Sequence, residues 1–344
     1  MGQDIRKILV IKLREMGDTI IATAALSVLK HHFPQARIHL ACTDTWASLL
    51  EGHPHVDRLW PLNRKKKIRL YQNIIPLRRE NFDLVINLHA SPSSARLAWW
   101  VAPRKKIIYS QGIQKLNQGS NISWPPTEGV LNAIERDLAP LRGLIPDLGS
   151  QASPLLLVSA DLAQLYRDKL SSAPHPRLIL GIGASRITKQ WPASRFGGLA
   201  KQWIEKTKGS VHLPYLESEQ SFIDKMHIPS HQRIYLYKNL ALNNLAALIS
   251  QGDFFCGNDS GPKHMAVALG IPSLSIFGPE DPYVWHPYDR KRHPFLYIPE
   301  LTCRPRQEGI ARCSIPICIE KGHTCMQEIS LDRVWASLSQ LANL

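Results

Sequence analysis

KILVIKLREMGDTIIATAALSVLKHHFPQARIHLAC, residues 7–42, decides the fold class. KILVIKL is a continuous apolar run of strand length. The loop REMGD follows. In TIIATAALSVLKHHFP, residues 19–34, apolar positions recur at helical spacing, and Pro34 stops the helix. ARIHLAC, residues 36–42, is a second strand. Strand, loop, helix and strand in that order make the βαβ unit of a parallel sheet.

Working outward, FDLVINLH (82–89) and KKIIYS (105–110) read as later strands of the same sheet. A loose stretch rich in Pro, Gly and Ser at 143–154 ends this series. A second series then begins with the strand RLILGIGAS (177–185). The helix SRFGGLAKQWIEKTKG (194–209) follows with a Gly stop, then the strand SVHLPYL (210–216). Residues 244–270 read as helix, short strand, loop and helix, and SLSIFG (273–278) as one more strand. The tail 330–344 is amphipathic and predicts a final helix. The division expected is an N-terminal domain over 1–155, a C-terminal domain over 156–328, and a terminal segment 329–344 that packs back on the first domain. Open α/β sheets bind ligands outside the carboxyl ends of their strands, so the loops after strands hold the informative residues.

The chain has 344 residues, or about two domains at roughly 150 residues each. With 44% hydrophobic and 20% charged residues, global disorder is excluded. No apolar run of about 18 residues exists, so a spanning helix is not expected. The N-terminal stretch, with charges on both sides of a short apolar run, reads as a strand and not as a signal peptide. The net charge is +14, of which +9 falls in residues 1–160. Such a surface attracts a polyanion. The basic motifs interleaved with aromatics that nucleic-acid readers carry are missing, so no nucleic-acid partner is expected.

Three loops carry chemistry. In REMGD, Gly17 permits a tight turn and Asp18 sits at the helix start. Asp18 suits either a helix cap or a general base. In GASRITKQWP (183–192), Ser185, Thr188 and Lys189 offer hydroxyls and a point charge to a phosphate; the alternative is an ordinary polar loop. In GNDSGPKHMAVALG (257–270), Asp259, Ser260 and Gly261 precede Pro262 and a helix whose free N–H groups suit a diphosphate. GxxxxGK[ST] and GxGxxG are both absent, which disfavours triphosphate hydrolysis and ordinary dinucleotide binding. No Asp–x–Asp string occurs, so a metal bridging a diphosphate by that device is not expected, nor is any other cofactor.

In this order, IKLREMGDTIIATAALSVLKHHFPQARI, KQWPASRFGGLA and GNDSGPKHMAVALGIPSLSIFGPEDP resemble the motifs of glycosyltransferase family 9, the ADP-heptose:lipopolysaccharide heptosyltransferases. The resemblance spans about residues 5–300. It implies an α/β GT-B fold, two Rossmann-like domains facing a central cleft, and an inverting, metal-independent transfer of a heptose from ADP-heptose to a lipopolysaccharide core. It implies Asp18 as base and Lys189 on the donor diphosphate. Asp259, Ser260, Gly261 and nearby His264 would hold donor sugar and phosphates. Glu217 or Glu219, in HLPYLESEQ, would serve the ribose. Asn87 stands where relatives often carry an acid. A related transferase with another nucleotide sugar or acceptor, or a non-catalytic sugar-nucleotide binder, is the alternative.

Arg14, Gly17 and the basic loop with Arg64, Lys65, Lys66 and Lys67 are assigned to the acceptor, a lipid-linked anionic oligosaccharide. The same loop suits an anionic leaflet, or simple solvation. The resulting expectation is a cytoplasmic protein, peripheral on the inner face of the bacterial inner membrane. Trp99 and Trp100 suit that interface or half-buried packing. Cys303, Cys313, Cys318 and Cys325 are spaced unlike a paired CxxC zinc ribbon and leave a metal, a disulfide or free thiols open.

Overall fold

The computed structural model describes residues 5–344 apart from 64–71, 73, 90, 102, 109–119, 124–130, 149–151, 229–230, 302, 304–305, 308–309, 312–317 and 319–322. Two compact units divide the chain, Met1–Leu157 and Val158–Leu344. The basic loop residues Arg64, Lys65, Lys66 and Lys67, and Cys313, lie outside the described residues.

The first unit runs β1 (Lys7–Lys12), α1 (Met16–Ile21), α2 (Thr23–His32), β2 (Arg37–Thr43), β3 (Arg58–Leu62), α3 (Ile74–Arg79), β4 (Leu84–Asn87), α4 (Pro92–Trp100), β5 (Lys105–Ile108) and α5 (Ala133–Leu138). Its five strands are parallel in the order β3-β2-β1-β4-β5. β1 is buried along most of its length because it is central, with neighbours on both edges. The helix expected over 19–34 starts earlier, at Met16, and breaks at Ala22. There the Thr23 hydroxyl donates to the Ile20 carbonyl at 2.6 Å and accepts from the Leu155 amide at 2.9 Å. A side-chain hydroxyl competing for a helix carbonyl interrupts the ladder. Trp99 is 59% exposed on α4.

The second unit runs α6 (Ala160–Lys169), β6 (Arg177–Gly181), α7 (Ala193–Thr207), β7 (Ser210–Tyr215), α8 (Gln220–Lys225), β8 (Ile234–Lys238), α9 (Leu242–Ser250), β9 (Phe254–Asn258), α10 (Gly261–Ala268), β10 (Ser273–Ile276), α11 (Pro282–Trp285) and β11 (Phe295–Leu296). Its six strands are again parallel, in the order β11-β10-β9-β6-β7-β8. Gly181 and Gly257 face each other across β6 and β9, and a Cβ at Gly257 would stand 2.5 Å from the Gly181 oxygen. Only glycine allows that approach.

The terminal helix, Leu331–Ala342, belongs to the second unit. Its apolar face buries Val334 and Leu338 in the core of the second unit, with Trp191, Phe196, Trp203 and Met326. An amphipathic helix settles where its stripe finds apolar partners, and α7 supplies them. Among the described residues no helix is long and apolar enough to cross a membrane.

Candidate active site

In each sheet the strand order reverses beside the first strand, and that switch point is where such sheets take ligands. In the second unit it lies between β6 and β9. The loop after β6 carries Ser185, Thr188 and Lys189, and the loop after β9 carries Asp259 and Ser260.

Asn258 ties the two loops together. Its Nδ2 donates to the Ile182 oxygen at 2.7 Å, and its Oδ1 accepts from the Trp191 amide at 3.0 Å. Trp191, fully buried, donates its indole N–H to the Ile329 oxygen at 2.8 Å. The tryptophan of Lys–x–Trp–Pro is therefore an anchor. It fixes the three-residue helical turn Ile187–Lys189 over the carboxyl end of β9.

Lys189 Nζ stands 2.7 Å from Asp259 Oδ2, and Lys263 Nζ 2.6 Å from Asp259 Oδ1. Glu280 is 3.9 Å from Lys189 and forms its own ion pair with Arg186. Burial alone would push the Asp259 carboxyl up, but Lys263 and Lys189 outweigh it and hold the group well below the usual carboxylate range. The hydroxyl oxygens of Thr188 and Ser260 are buried and make no hydrogen bond among the described residues. Such groups invite a polar ligand. Ser260 occupies the cap position of α10 without capping through its side chain, and Pro262 sits in the first turn. His264, buried on α10, shares a 2.5 Å hydrogen bond with the Tyr288 hydroxyl, and burial lowers its proton affinity well below the ordinary range.

Ser185 is exposed beside this cluster. Gly261 opens α10. Glu217 pairs with Lys238 at 2.7 Å on the surface, with its amide on Asn239. Glu219 accepts the Leu216 amide at 2.8 Å and lines Gly183, where an added Cβ would stand 2.9 Å from Oε1. Of the two acids, Glu219 is the one beside the loop after β6.

In the first unit the switch point lies between β1 and β4. Of the two readings of Asp18, capping fails: Glu15 holds the cap position, and Asp18 is the third residue of α1. Asp18 Oδ1 is buried and accepts no hydrogen bond among the described residues; Arg136 Nη2 lies 3.6 Å away. Gly17 is the second residue of α1. Arg14 Nε donates to the His89 oxygen at 3.2 Å. Asn87 is fully buried; its Oδ1 takes the His89 amide, and its Nδ2 has no hydrogen-bond partner among the described residues.

A family model, glycosyltransferase family 9 (heptosyltransferase), matches residues 71–310. The chain belongs to that family. A lipopolysaccharide heptosyltransferase 1 of Campylobacter coli is 25% identical over 293 residues, 80% of this chain and 85% of the relative. A family 9 glycosyl transferase of known structure from Veillonella parvula superposes with a TM-score of 0.80 at 20% identity, covering 100% of this chain and 99% of that one. The ADP-heptose lps heptosyltransferase II of E. coli superposes with a TM-score of 0.76 at 21% identity, covering 98% and 99%. These likenesses establish the fold, GT-B with two Rossmann-like units.

For this family 9 chain, sequence reasoning singled out Lys189, Asp259 and Ser260, and the structure brings Lys189 and Asp259 together with Ser260 next in the chain. Sequence reasoning missed Lys263, Arg186, Glu280 and Tyr288. Lys263 follows Asp259 by four residues, but Asp259 precedes the cap of α10, so no helix-face spacing marks the pair. Among the described residues no group of three or more His, Cys, Asp or Glu is placed to hold a metal ion.

Proposed function

We propose that this family 9 chain is an inverting heptosyltransferase that moves a heptose from ADP-heptose to a lipopolysaccharide-core acceptor, with Asp18 as the general base. The observation that carries this reading is the cluster of Lys189, Asp259 and Lys263 at the switch point of the second sheet, beside the Thr188 and Ser260 hydroxyls, which make no hydrogen bond among the described residues. Cations, hydroxyls and a helix N-terminus in one place suit a diphosphate. The names of the relatives, lipopolysaccharide heptosyltransferase and ADP-heptose lps heptosyltransferase, support the sugar and the acceptor.

The chemistry follows from these groups. The acceptor hydroxyl attacks the anomeric carbon as ADP leaves, and one displacement inverts the centre. Asp18 Oδ1, buried beside Arg136 and without a hydrogen bond among the described residues, takes the hydroxyl proton. The leaving diphosphate gains charge, which Lys189, Ser185, Thr188, Ser260 and the end of α10 at Gly261 oppose. Asp259 and His264 face the donor sugar, and Glu219 or Glu217 the ribose. No step calls for a metal, and full turnover in EDTA is expected.

The acceptor falls to the first unit. Its share of the net charge, with Arg14 and the loop Arg64–Lys67, suits a lipid-linked anionic oligosaccharide at the cytoplasmic leaflet, where the protein would sit peripherally. A second reading keeps the fold and changes the acceptor sugar. It is favoured by Asn87, whose buried amide nitrogen has no hydrogen-bond partner among the described residues.

Calorimetry against ADP-heptose, ADP-glucose, GDP-mannose and UDP-N-acetylglucosamine tests the donor. ADP-heptose is expected to bind tightest. Tighter binding of a UDP or GDP sugar would overturn the assignment.

A further inference from the structure

Lys263 has no exposed surface. Its ammonium donates to Asp259 Oδ1 at 2.6 Å and to the Trp285 oxygen at 3.1 Å, and stands 4.5 Å from the centre of the Phe277 ring. It is the third residue of α10, directed inward. It cannot touch a ligand, and burying an ammonium is unfavourable unless a partner compensates. The partner is Asp259, which also holds Lys189.

The charges can be counted. Lys189 is 13% exposed in its side chain and is the cation offered to the diphosphate. Arg186 and Glu280 form a pair of their own, so they cancel. His264 and His286 are held neutral by burial, reinforced by Lys263. Burial keeps the Tyr288 phenol protonated. What remains is two lysines against one carboxylate. With Lys263 removed, Asp259 and Lys189 would form a neutral pair, and a carboxylate 2.7 Å from the phosphate-binding ammonium would repel the diphosphate.

We propose that Lys263 is a positioning charge for the donor site: it cancels the carboxylate of Asp259, so that Lys189 meets the diphosphate with its charge uncancelled. The inference rests on the reading that Lys189 binds a donor diphosphate. It assigns Lys263 a role at a distance, through Asp259, on the charged part of the donor alone.

The test is calorimetry of ADP and of adenosine on the full chain as wild type, K263M, D259N and K263M/D259N, each first checked for a cooperative thermal transition. K263M should bind ADP about tenfold or more weakly, while adenosine binding stays unchanged. K263M/D259N restores the balance of one net positive charge, so its ADP affinity should return to within about threefold of wild type. A purely packing role would leave the double variant no better than K263M. That result, or equal losses for ADP and adenosine, or unchanged ADP affinity in K263M, would overturn the inference. If K263M does not fold, D259N and the double variant decide: D259N, with one more net positive charge, should bind ADP more tightly, and equal or reversed affinities overturn the inference. Wild-type protein that binds neither ADP nor ADP-heptose would overturn the functional reading itself, a result distinct from all of these.

Discussion

Arg136 Nη2 lies 3.6 Å from Asp18 Oδ1, and that oxygen makes no hydrogen bond among the described residues. The next residue explains why the guanidinium is there. Asp137 holds the buried ammonium of Lys12 with both carboxylate oxygens at 2.6 Å, which pins α5 to the carboxyl end of β1. Asp18 Oδ1 thus keeps a neighbouring cation without a hydrogen bond among the described residues. Asp18→Asn should leave ADP-heptose affinity unchanged and lower turnover by roughly 10²–10⁴, the range for a general base. Near-normal turnover at saturating substrates would remove Asp18 from the chemistry.

Lys189→Ala should weaken ADP binding by about 1.5–3 kcal/mol, the range for a hydrogen bond to a charged group. Its melting temperature should stay close to wild type, because Asp259 keeps Lys263 as a partner. Unchanged ADP affinity in calorimetry would refute the phosphate contact.

Much of this was legible in the sequence. The strands of the two sheet centres, β1, β4, β6 and β9, announce themselves as apolar runs because both of their faces are buried. β3 and β8 do not. They are edge strands, half exposed, and β3 carries Pro61, which an edge tolerates. The sequence predicts the stop of α7 at Gly209, but the chain turns one residue earlier, at Lys208, left-handed at φ 61°.

In the site, residues on loops after strands were readable because fold class alone marks those loops. Lys263 was not. A lysine on a helix ordinarily faces water, and only packing shows that this one faces Asp259. Arg136 was hidden for another reason. It reaches Asp18 from a helix far along the chain, a contact that no local pattern encodes.

Acid should destabilise the fold before carboxylates titrate. Burial, more than any other cause, lowers His212 and His286 to about 3, and His53 and His293 to about 4. The unfolded chain takes up these protons near pH 6.5, while the folded chain refuses them until far lower. Stability is therefore full above about pH 6.5 and falls as pH drops toward 3–4, by about 1.4 kcal/mol per pH unit for each histidine. Melting temperatures should be flat from about pH 8 to 7 and decline below about 6.5. His212→Gln, which keeps polar groups near Ser210 and Tyr237, should make that decline shallower. A melting temperature constant down to about pH 5 would contradict this.

Acceptor capture should respond to salt. Exposed charges are screened over about 8–10 Å near physiological ionic strength. Neutralising Lys65, Lys66 and Lys67 together should raise the acceptor KM and leave ADP affinity alone. Added salt should raise the wild-type KM more than that of the triple variant. Identical acceptor KM and salt response would make this loop a solvated surface only.

The most direct measurement is transfer itself. ADP-heptose and a heptose-deficient lipopolysaccharide core are incubated with the protein in EDTA, and the product is read by mass spectrometry and by NMR of its anomeric signal. One heptose should be gained per ADP released, with the anomeric configuration inverted relative to the donor, and Asp18→Asn should lose that product. Heptose delivered with retained configuration, or ADP released with no gain by the glycan, would contradict this.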